Sequence, residues 1–463
     1  MEIQRNIISS LLNWKQSKYR KPLVLQGARQ VGKTFVLEYF GKTCFDNFVY
    51  IDFDREAEHR AEFAKTKNPQ RLLSYLSAVK GVKIEPQTTL IIFDEIQECN
   101  DALNSLKYFY QDAPGYAVVA AGSLLGVAMK RSGASFPVGK VDFLTLYPVC
   151  FDEFLRMYDV GLYDYLHNFL TGFELKNNPE QIPEIFHSQL IDAYKVYICC
   201  GGMPETLVRR FETKSWDQVE IVSKQILTSF TLDFAKHIAP KDIPRVIRLW
   251  GNIQDNLAKE DRKFRYALLE KNARGKNYED AVEWLVLAGL VHRIFEVQTA
   301  KIPLANYKNT SAFKLYLLDT GLLRTKFNID PAAILLGNKL FTEFRGVLTE
   351  NYVLQTLKRQ FGNEIFYWTS GNTAEIEFML QFKNEIIPVE AKSAESVKSR
   401  SLSEYRKNNH PNLSVRFSLK NIAKSEDFVN LPLYLADYMI DIISPHIARI
   451  NADFDVENNG STK

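Results

Sequence analysis

The chain has 463 residues, 46% of them hydrophobic and 24% charged, and this length exceeds one hydrophobic core, so about three domains are expected. The formal net charge of +3 is too small to indicate, by itself, binding to nucleic acid or to a membrane surface. The five cysteines lack metal-type spacing, and neither a signal peptide nor a membrane span is predicted, so we expect a cytoplasmic protein with reduced thiols.

Short apolar runs alternate with helical patterns over the first 160 residues. Continuous apolar runs separated by helices are typical of a parallel sheet that is covered on both faces. The sequence therefore predicts an α/β domain over this part of the chain. The runs are KPLVLQ (21–26), NFVYIDFD (47–54), TLIIFDE (89–95) and YAVVAAGS (116–123).

The first apolar run leads into GARQVGKT, which has the spacing GxxxxGK[ST] and opens a predicted helix. In this context the glycines let the backbone wrap around phosphate oxygens, and Lys33 neutralises the β- and γ-phosphates. The Thr34 hydroxyl would ligate Mg²⁺, and a glycine turn with a chance lysine is the alternative. The predicted ATP-binding residues are Gly27, Ala28, Arg29, Gln30, Val31, Gly32, Lys33 and Thr34.

Polar residues end the third and fourth apolar runs. Asp94 would hold Mg²⁺ through water, and Glu95 would activate the attacking water as general base. An Asp-Glu pair is a common strand exit, but about sixty residues after a phosphate loop it supports the functional interpretation. Ser123 would contact the γ-phosphate or the lytic water, or it would only cap a helix.

These segments resemble the AAA-type P-loop ATPases of bacteria and archaea, in a branch that has a C-terminal domain of unknown function. The resemblance implies ATP hydrolysis with Mg²⁺, a lid near Pro204, and a basic residue that acts on the γ-phosphate in cis or from a neighbouring chain. Lys140 and Arg131 are the local candidates for that basic residue, or they are solvated surface charges. The catalytic set implied is Lys33, Glu95, Ser123 and Lys140. The matching motifs are GARQVGKT, DEIQ, LKYFY, AGSLLG, SFPVGKVDFLTLYPVCFDEFL, GGMPE, DFAKH, FKLYLLDTGLL and ENYV.

The middle of the chain is predicted to be mostly helical. In its last part a helix stops at Gly289 before a β-like run, which resembles a winged helix. The basic stretch KEDRKFRYALLEKNARGK (259–276) precedes this helix and predicts contact with nucleic-acid phosphates through residues 259–300. A solvated helix face with mixed charges, or a protein-docking module, is the alternative.

The segment EIEFMLQFKNEIIPVEAKS reads as a hairpin with unusual polar residues. Side chains two apart in a strand share a face, so Glu390 and Lys392 point the same way, and Glu377 lies on the preceding strand. With Glu350 on an upstream helix they match restriction-endonuclease-like folds, in which carboxylates hold a divalent metal that activates water. The family's C-terminal domain is similar to that superfamily, although such nucleases have Asp where this chain has Glu377.

The predicted fold class is α/β: a P-loop NTPase parallel sheet of AAA type, then a helical lid, a winged-helix-like segment and a restriction-endonuclease-like α/β domain. The predicted boundaries are 1–160 for the ATPase core, 161–240 for the lid, 241–300 for the winged-helix-like segment, 301–450 for the C-terminal domain and 451–463 for a flexible tail.

Three functions remain open at this point. The first is ATP hydrolysis coupled to a C-terminal module that contacts nucleic acid or a protein partner, in a monomer or an oligomer. The second is a nucleotide-switched signalling or scaffold module with a degenerate nuclease fold. The third is an ATP-gated, metal-dependent nuclease, against which Glu377 counts because active sites tolerate only about 0.5 Å of positional error.

Overall fold

The structure is a computed structural model that describes the chain except at residues 1, 124, 128–136, 138, 176–177, 272, 337–341, 363, 372–373, 394–399 and 461–463. The chain divides into two compact units. The amino-terminal unit comprises Glu2–Pro148 and Asp280–Leu290, and the carboxyl-terminal unit comprises Val149–Glu279 and the chain from Val291 onward. Within the described residues, no helix is long and apolar enough to cross a membrane.

A parallel sheet forms the centre of the amino-terminal unit. Its strands are β1 (Leu23–Gln26), β2 (Asn47–Asp52), β3 (Thr89–Asp94), β4 (Ala117–Ala121) and β5 (Asp142–Thr145), in the order β2-β3-β4-β1-β5. All four neighbouring pairs are parallel. The helices of this unit before Pro148 are α1 (Ile7–Gln16), α2 (Lys33–Cys44), α3 (Glu58–Lys65), α4 (Pro69–Lys80) and α5 (Asn100–Asp112).

The four predicted apolar runs are confirmed as β1 to β4, and the sheet confirms the predicted P-loop NTPase α/β fold. Residues 90–93 of β3 are fully buried, as a strand covered on both faces requires. β5 was not predicted, because it has only four residues and alternates between partly buried and exposed positions at the edge of the sheet. In a parallel sheet the carboxyl ends of β1, β3 and β4 lie at one edge, where ligands bind in open α/β folds.

The carboxyl-terminal unit begins with a helical region, as predicted. Its helices before the large sheet are α6 (Phe151–Tyr158), α7 (Val160–Leu170), α8 (Glu184–Cys200), α9 (Pro204–Thr213), α10 (Trp216–His237) and α11 (Ile243–Leu257). The next helix, α12 (Gly275–Leu287), continues into the amino-terminal unit.

A mixed sheet of eight strands forms the rest of the carboxyl-terminal unit. Its strands are β6 (Val291–Val297), β7 (Lys308–Leu317), β8 (Ile365–Thr369), β9 (Glu375–Phe382), β10 (Glu385–Ala391), β11 (Ser414–Ser418), β12 (Ala423–Ser425) and β13 (Phe428–Pro432). The order is β12-β13-β11-β10-β9-β8-β6-β7. The accompanying helices are α13 (Thr320–Lys326), α14 (Pro331–Leu335), α15 (Thr342–Phe361), α16 (Arg400–Asn409) and α17 (Met439–Gly460).

Two features of this unit differ from the sequence prediction. The β-like run after Gly289 is a strand, β6, but it pairs with β7 on one side and β8 on the other, so it is an interior strand of the sheet and not a free wing. The predicted boundary at residue 300 therefore falls between two paired strands. Residues 451–460 continue helix α17, where the sequence predicts a flexible tail.

The motif GGMPE packs against the motif DTGLL inside the carboxyl-terminal unit. The carboxylate of Asp319 accepts hydrogen bonds from the backbone amides of Gly202, at 2.5 Å, and Leu322, at 2.9 Å. A Cβ atom at Gly321 would overlap the carbonyl oxygen of Cys200 and the amide of Gly201. These glycines therefore allow two main chains to approach closely.

This contact predicts opposite effects for two helical glycines. Gly321→Ala should lower the free energy of unfolding by about 1–3 kcal/mol, because the added methyl group overpacks a buried contact. Gly251→Ala is the matched control: the space around Gly251 in α11 is open, and the helix should gain up to about 1 kcal/mol. Urea unfolding of both variants tests this, and equal stability changes in the two would contradict the packing described.

Candidate functional site

The loop between β1 and α2 has a backbone that only glycine can adopt at two positions. Gly27 has φ 151° and Gly32 has φ 93°. A Cβ atom at Gly27 would overlap the carbonyl oxygen of Leu146, which directly follows β5. Since α2 begins at Lys33, its positive amino end faces the loop. The segment from Gly27 to Thr34, here called the phosphate loop, therefore has the geometry of an anion cradle.

Lys33 is buried within the phosphate loop. Its Nζ donates hydrogen bonds to the carbonyl oxygens of Gly27, at 2.9 Å, and Ala28, at 2.8 Å. Burial lowers the pKa of Lys33 to about 8, while the nearby carboxylates of Glu95 and Asp94 act in the opposite direction. A buried ammonium group next to two carboxylates is suited to exchange these carbonyl contacts for phosphate oxygens.

Arg5 supports the phosphate loop from behind and was not identified from the sequence. Its guanidinium is buried and donates to the carbonyl oxygens of Val31, at 2.9 Å, and Tyr147, at 2.7 Å. These bonds join the phosphate loop to the chain that follows β5. No motif surrounds Arg5, so only the folded structure reveals this contact.

Asp94 lies at the carboxyl end of β3 and contacts the first turn of α2. Its Oδ2 accepts hydrogen bonds from the Thr34 hydroxyl, at 2.6 Å, and from the Tyr50 hydroxyl, at 2.9 Å. The neighbouring Oδ1 accepts the backbone amide of Glu95 at 2.9 Å. A hydroxyl and a carboxylate in contact beside a phosphate cradle are the oxygen ligands that Mg²⁺ prefers, so the donor set fits this ion. Tyr50 was missed by the sequence analysis.

Glu95 belongs to a second group of contacts beside the phosphate loop. Its Oε2 accepts hydrogen bonds from Gln97 Nε2 and from Ser123 Oγ, the latter at 3.4 Å. Ser123 Oγ in turn accepts a hydrogen bond from Arg29 Nε at 3.3 Å. Glu95 has a left-handed backbone with φ 45°, a strained conformation that is common in active sites. The structure thus brings together Arg29, Glu95 and Ser123, and it adds Gln97.

Lys140 is not brought to the phosphate loop. It precedes β5, whose first residue Asp142 pairs with Leu23 at the start of β1, whereas the phosphate loop follows the end of β1. A four-residue strand spans roughly 13 Å, so Lys140 lies at the opposite edge of the sheet. There its Nζ lies 5.1 Å from the centre of the Tyr110 ring. This geometry corrects the predicted action of Lys140 in cis, and Arg131 lies outside the described residues.

The carboxyl end of α12 packs beside the phosphate loop. Residues 280–290 cluster with the amino-terminal unit although 133 or more residues separate them from β5. A Cβ atom at Gly126 would lie 2.8 Å from the carbonyl oxygen of Leu287, and one at Gly289 would lie 3.5 Å from the amide nitrogen of Ala28. This contact was not predicted, because no local pattern marks a return of the chain to the first domain.

The four predicted nuclease-like residues converge in the carboxyl-terminal unit. The Lys392 Nζ lies 2.8 Å from Glu377 Oε1 and 3.2 Å from Glu390 Oε1. Burial raises the pKa of Glu377 to about 7, Lys392 opposes this rise, and the nearby carboxylates of Glu350 and Glu390 add to it. We call these three glutamates and Lys392 the carboxylate cluster.

The carboxylate cluster has two further cations that were not assigned to it from the sequence. Arg262 Nη1 lies 3.0 Å from Glu350 Oε1, and Arg416 Nε lies 2.9 Å from Glu390 Oε2. The Tyr316 hydroxyl also donates to Glu350, at 3.2 Å. In the part of the chain that the structure describes, no group of three or more His, Cys, Asp or Glu side chains is arranged to hold a metal ion.

The basic stretch 259–276 is divided between internal ion pairs and exposed charges. Arg262 pairs with Glu350, Lys263 with Glu296 at 3.3 Å, and Arg265 with Asp261 at 2.6 Å. The remaining basic side chains of the stretch that are exposed to solvent are Lys271, Arg274 and Lys276, with Lys259 preceding them. The amino-terminal half of the stretch therefore serves internal contacts, where the sequence predicts phosphate contacts.

Three family models match consecutive parts of the chain. Residues 19–155 match an AAA domain. Residues 191–333 match a domain of unknown function (DUF8612), and residues 345–435 match a second domain of unknown function (DUF4143). No curated protein matches the chain.

Solved structures similar to the chain include three nucleotide-dependent proteins. A Walker-type ATPase of Pyrococcus abyssi is 14% identical, with 70% of this chain and 96% of that chain covered and a TM-score of 0.44. The Aeropyrum pernix ORC2 protein in ADPNP–ADP complexes is 14% identical, with 73% and 96% covered and a TM-score of 0.32. The Thermotoga maritima RuvB Holliday junction branch migration motor is 14% identical, with 65% and 91% covered and a TM-score of 0.28. At these TM-scores the similarity carries no argument about this chain.

The shape of the phosphate loop predicts that Gly27→Ala weakens ATP binding at least tenfold, because the methyl group would displace the loop from Leu146. The matched control is Gly139→Ala: Gly139 also has a positive φ, of 73°, but the space around it is open. Titration of both variants with a fluorescent ATP analogue measures the difference. Equal affinities in the two variants would contradict a role for the close approach at Gly27.

Proposed function

We propose that this chain, which belongs to the AAA-type P-loop ATPases with C-terminal domains of unknown function, binds ATP with Mg²⁺ and hydrolyses it. The observation that carries the proposal is the contact between Thr34 and Asp94 at the carboxyl edge of a parallel sheet, beside a glycine-shaped loop. The AAA match over residues 19–155 includes all of these residues and supports the same conclusion.

Each part of the site has a role in this proposal. The amides of the phosphate loop and the amino end of α2 bind the β- and γ-phosphates, and Lys33 moves from the carbonyl oxygens of Gly27 and Ala28 to the phosphates. Thr34 and Asp94 hold Mg²⁺, which supplies positive charge against the triphosphate. Glu95 accepts the proton of the attacking water, and the hydrogen bonds from Gln97 and Ser123 orient its carboxylate.

A basic residue from a neighbouring copy of the chain would complete this site in an oligomer, since Lys140 lies at the other edge of the sheet. The contact of residues 280–290 with the phosphate loop and the loop after β4 favours coupling between nucleotide state and the carboxyl-terminal unit. This segment leads directly into β6, an interior strand of the large sheet. A change in the phosphate loop would therefore reach the module by covalent connection.

For the carboxyl-terminal unit we propose a binding module with a degenerate restriction-endonuclease-like sheet. The pairing of its carboxylates with Arg262, Lys392 and Arg416 favours this over a nuclease that holds a metal. Nucleic acid and a protein are the candidate partners. The exposed side chains of Lys271, Arg274 and Lys276 favour a partner with negative charge, such as nucleic acid.

Two substitutions separate ATP binding from ATP hydrolysis. Lys33→Ala should abolish detectable ATP binding, because the triphosphate loses its buried counter-charge. Glu95→Gln should bind ATP normally and release phosphate about 10²–10⁴-fold more slowly, because the general base is lost. Nucleotide titration and a phosphate-release assay measure the two effects. Unchanged affinity in the first variant, or near-normal turnover in the second, would reject the assigned role.

Contact with nucleic acid has a salt-dependence test. Replacing Lys271, Arg274 and Lys276 together by alanine should make the slope of log affinity against log salt shallower by about one unit for each lost phosphate contact. The matched control replaces three exposed lysines of the amino-terminal unit, Lys42, Lys65 and Lys83, and should leave the slope unchanged. Fluorescence anisotropy with labelled duplex DNA at several salt concentrations measures it. If the wild-type protein does not bind DNA, the partner is a protein.

A further inference from the structure

The carboxylate cluster is balanced by charges of the same chain. It contains three glutamates, each of which is almost completely buried, and each has a basic side chain beside it. A buried carboxylate without a counter-charge is costly, so three together require three positive charges or their equivalent. Lys392 and Arg416 belong to the sheet that carries Glu377 and Glu390, whereas Arg262 comes from the distant segment that follows α11.

The backbone around Arg262 is held in a specific and strained conformation. Arg262 has φ 50°, in the left-handed region that non-glycine residues seldom adopt. Two residues later the amide of Phe264 donates to the carbonyl oxygen of Phe313 on β7, at 2.9 Å, and the two rings stack with centres 5.2 Å apart. The segment is thus fixed along β7 while Arg262 turns inward, and strain of this kind is characteristic of functional positions.

Helix α15 provides room for the Arg262 guanidinium. Gly346 lies one turn before Glu350, so the two residues share a face of the helix. A Cβ atom at Gly346 would lie 3.1 Å from Arg262 Nη2, which is closer than an ordinary contact. Glycine in a helix costs about 1 kcal/mol relative to alanine, and access for the guanidinium is a physical reason for it here.

One oxygen of the carboxylate cluster is unsatisfied. Glu377 Oε2 is buried and has no hydrogen-bond partner within the described residues, although its Oε1 is held by Lys392. Buried carboxylate oxygens without a donor are rare and point to an absent positive ligand. Arg262 also interacts electrostatically with Glu377 as well as with Glu350. The carboxylates therefore have the charge for a divalent cation, and the guanidinium supplies part of that charge.

We propose that Arg262 acts as an internal substitute for a divalent cation in the carboxylate cluster, which closes the cluster to Mg²⁺ and Mn²⁺, and that withdrawal of Arg262 opens a cation site formed by Glu350, Glu377 and Glu390. Guanidinium is planar and cannot accept six oxygen ligands, so it neutralises the cluster without activating water. This inference does not depend on ATP binding or hydrolysis. It makes the segment 259–265 an autoinhibitory strap on the carboxyl-terminal unit.

The test is Mn²⁺ binding to the full chain without nucleotide, measured by electron paramagnetic resonance of the free ion. Arg262→Gln should bind one equivalent of Mn²⁺ more than the wild-type protein, at least tenfold more tightly than any site shared by the two. The double variant Arg262→Gln, Glu350→Gln should lose this equivalent. Arg265→Gln is the matched control, because Arg265 lies in the same segment but forms a half-exposed pair with Asp261, and it should behave as the wild type.

Three outcomes would overturn the proposal. They are the absence of the extra equivalent in folded Arg262→Gln, its persistence in the double variant, and Mn²⁺ binding by the wild type that Glu350→Gln removes. If Arg262→Gln unfolds easily, thermal unfolding replaces the titration. Mn²⁺ should then raise the melting temperature of Arg262→Gln and not that of Arg262→Lys, which keeps a positive charge. Equal or absent shifts in both would assign Arg262 a structural role only.

Discussion

The hydrogen bond between Thr34 and Asp94 is the contact on which the account of the nucleotide site depends. It joins the first turn of α2 to the carboxyl end of β3, although β4 lies between β1 and β3 in the sheet. Adjacent strands are about 4.8 Å apart, so these groups meet only because the parallel order brings the strand ends to one edge and α2 crosses above them. The glycine contact with Leu146 and the Arg5 bonds hold the other side of the loop. Remove that convergence, and neither phosphate nor Mg²⁺ has a preformed site.

The two units deal with buried charge in opposite ways. Around the phosphate loop, main-chain amides, a helix end and Lys33 concentrate positive potential where an anion is to bind. In the carboxylate cluster the negative charge is already answered by Arg262, Lys392 and Arg416. The first site is therefore prepared for a ligand, and the second is closed by the chain itself. A nucleotide-dependent protein with a closed nuclease-like sheet is consistent with a binding or switching role for its second half.

The sequence was sufficient where local pattern determines structure. Four apolar runs, the GxxxxGK[ST] spacing, and the positions of Asp94, Glu95 and Ser123 predicted the sheet edge and most of the nucleotide site. The hairpin at Lys383 and Asn384 and the meeting of Glu377, Glu390 and Lys392 also followed from strand alternation. In each case the relevant residues are close in sequence, or the rule that joins them is the common direction of parallel strands.

Contacts between distant segments could not be predicted. Arg5, Tyr50 and the segment 280–290 reach the phosphate loop by tertiary packing, and no residue near them signals it. Lys140 is basic and near the motif in sequence, but it precedes β5, and strand direction sets it at the wrong edge. Arg262 reads as part of a basic stretch for phosphate binding, whereas burial beside Glu350 gives it a partner within the chain. Charge in a sequence does not reveal which charges are already paired.

The most direct measurement is a crystal structure of the protein with a non-hydrolysable ATP analogue and Mg²⁺. The account predicts β- and γ-phosphates bound by the amides of residues 28–34, with Lys33 Nζ turned from the Gly27 and Ala28 carbonyl oxygens to the phosphates. A nucleotide bound elsewhere, or a loop that keeps its Lys33 bonds at saturating analogue, would contradict it.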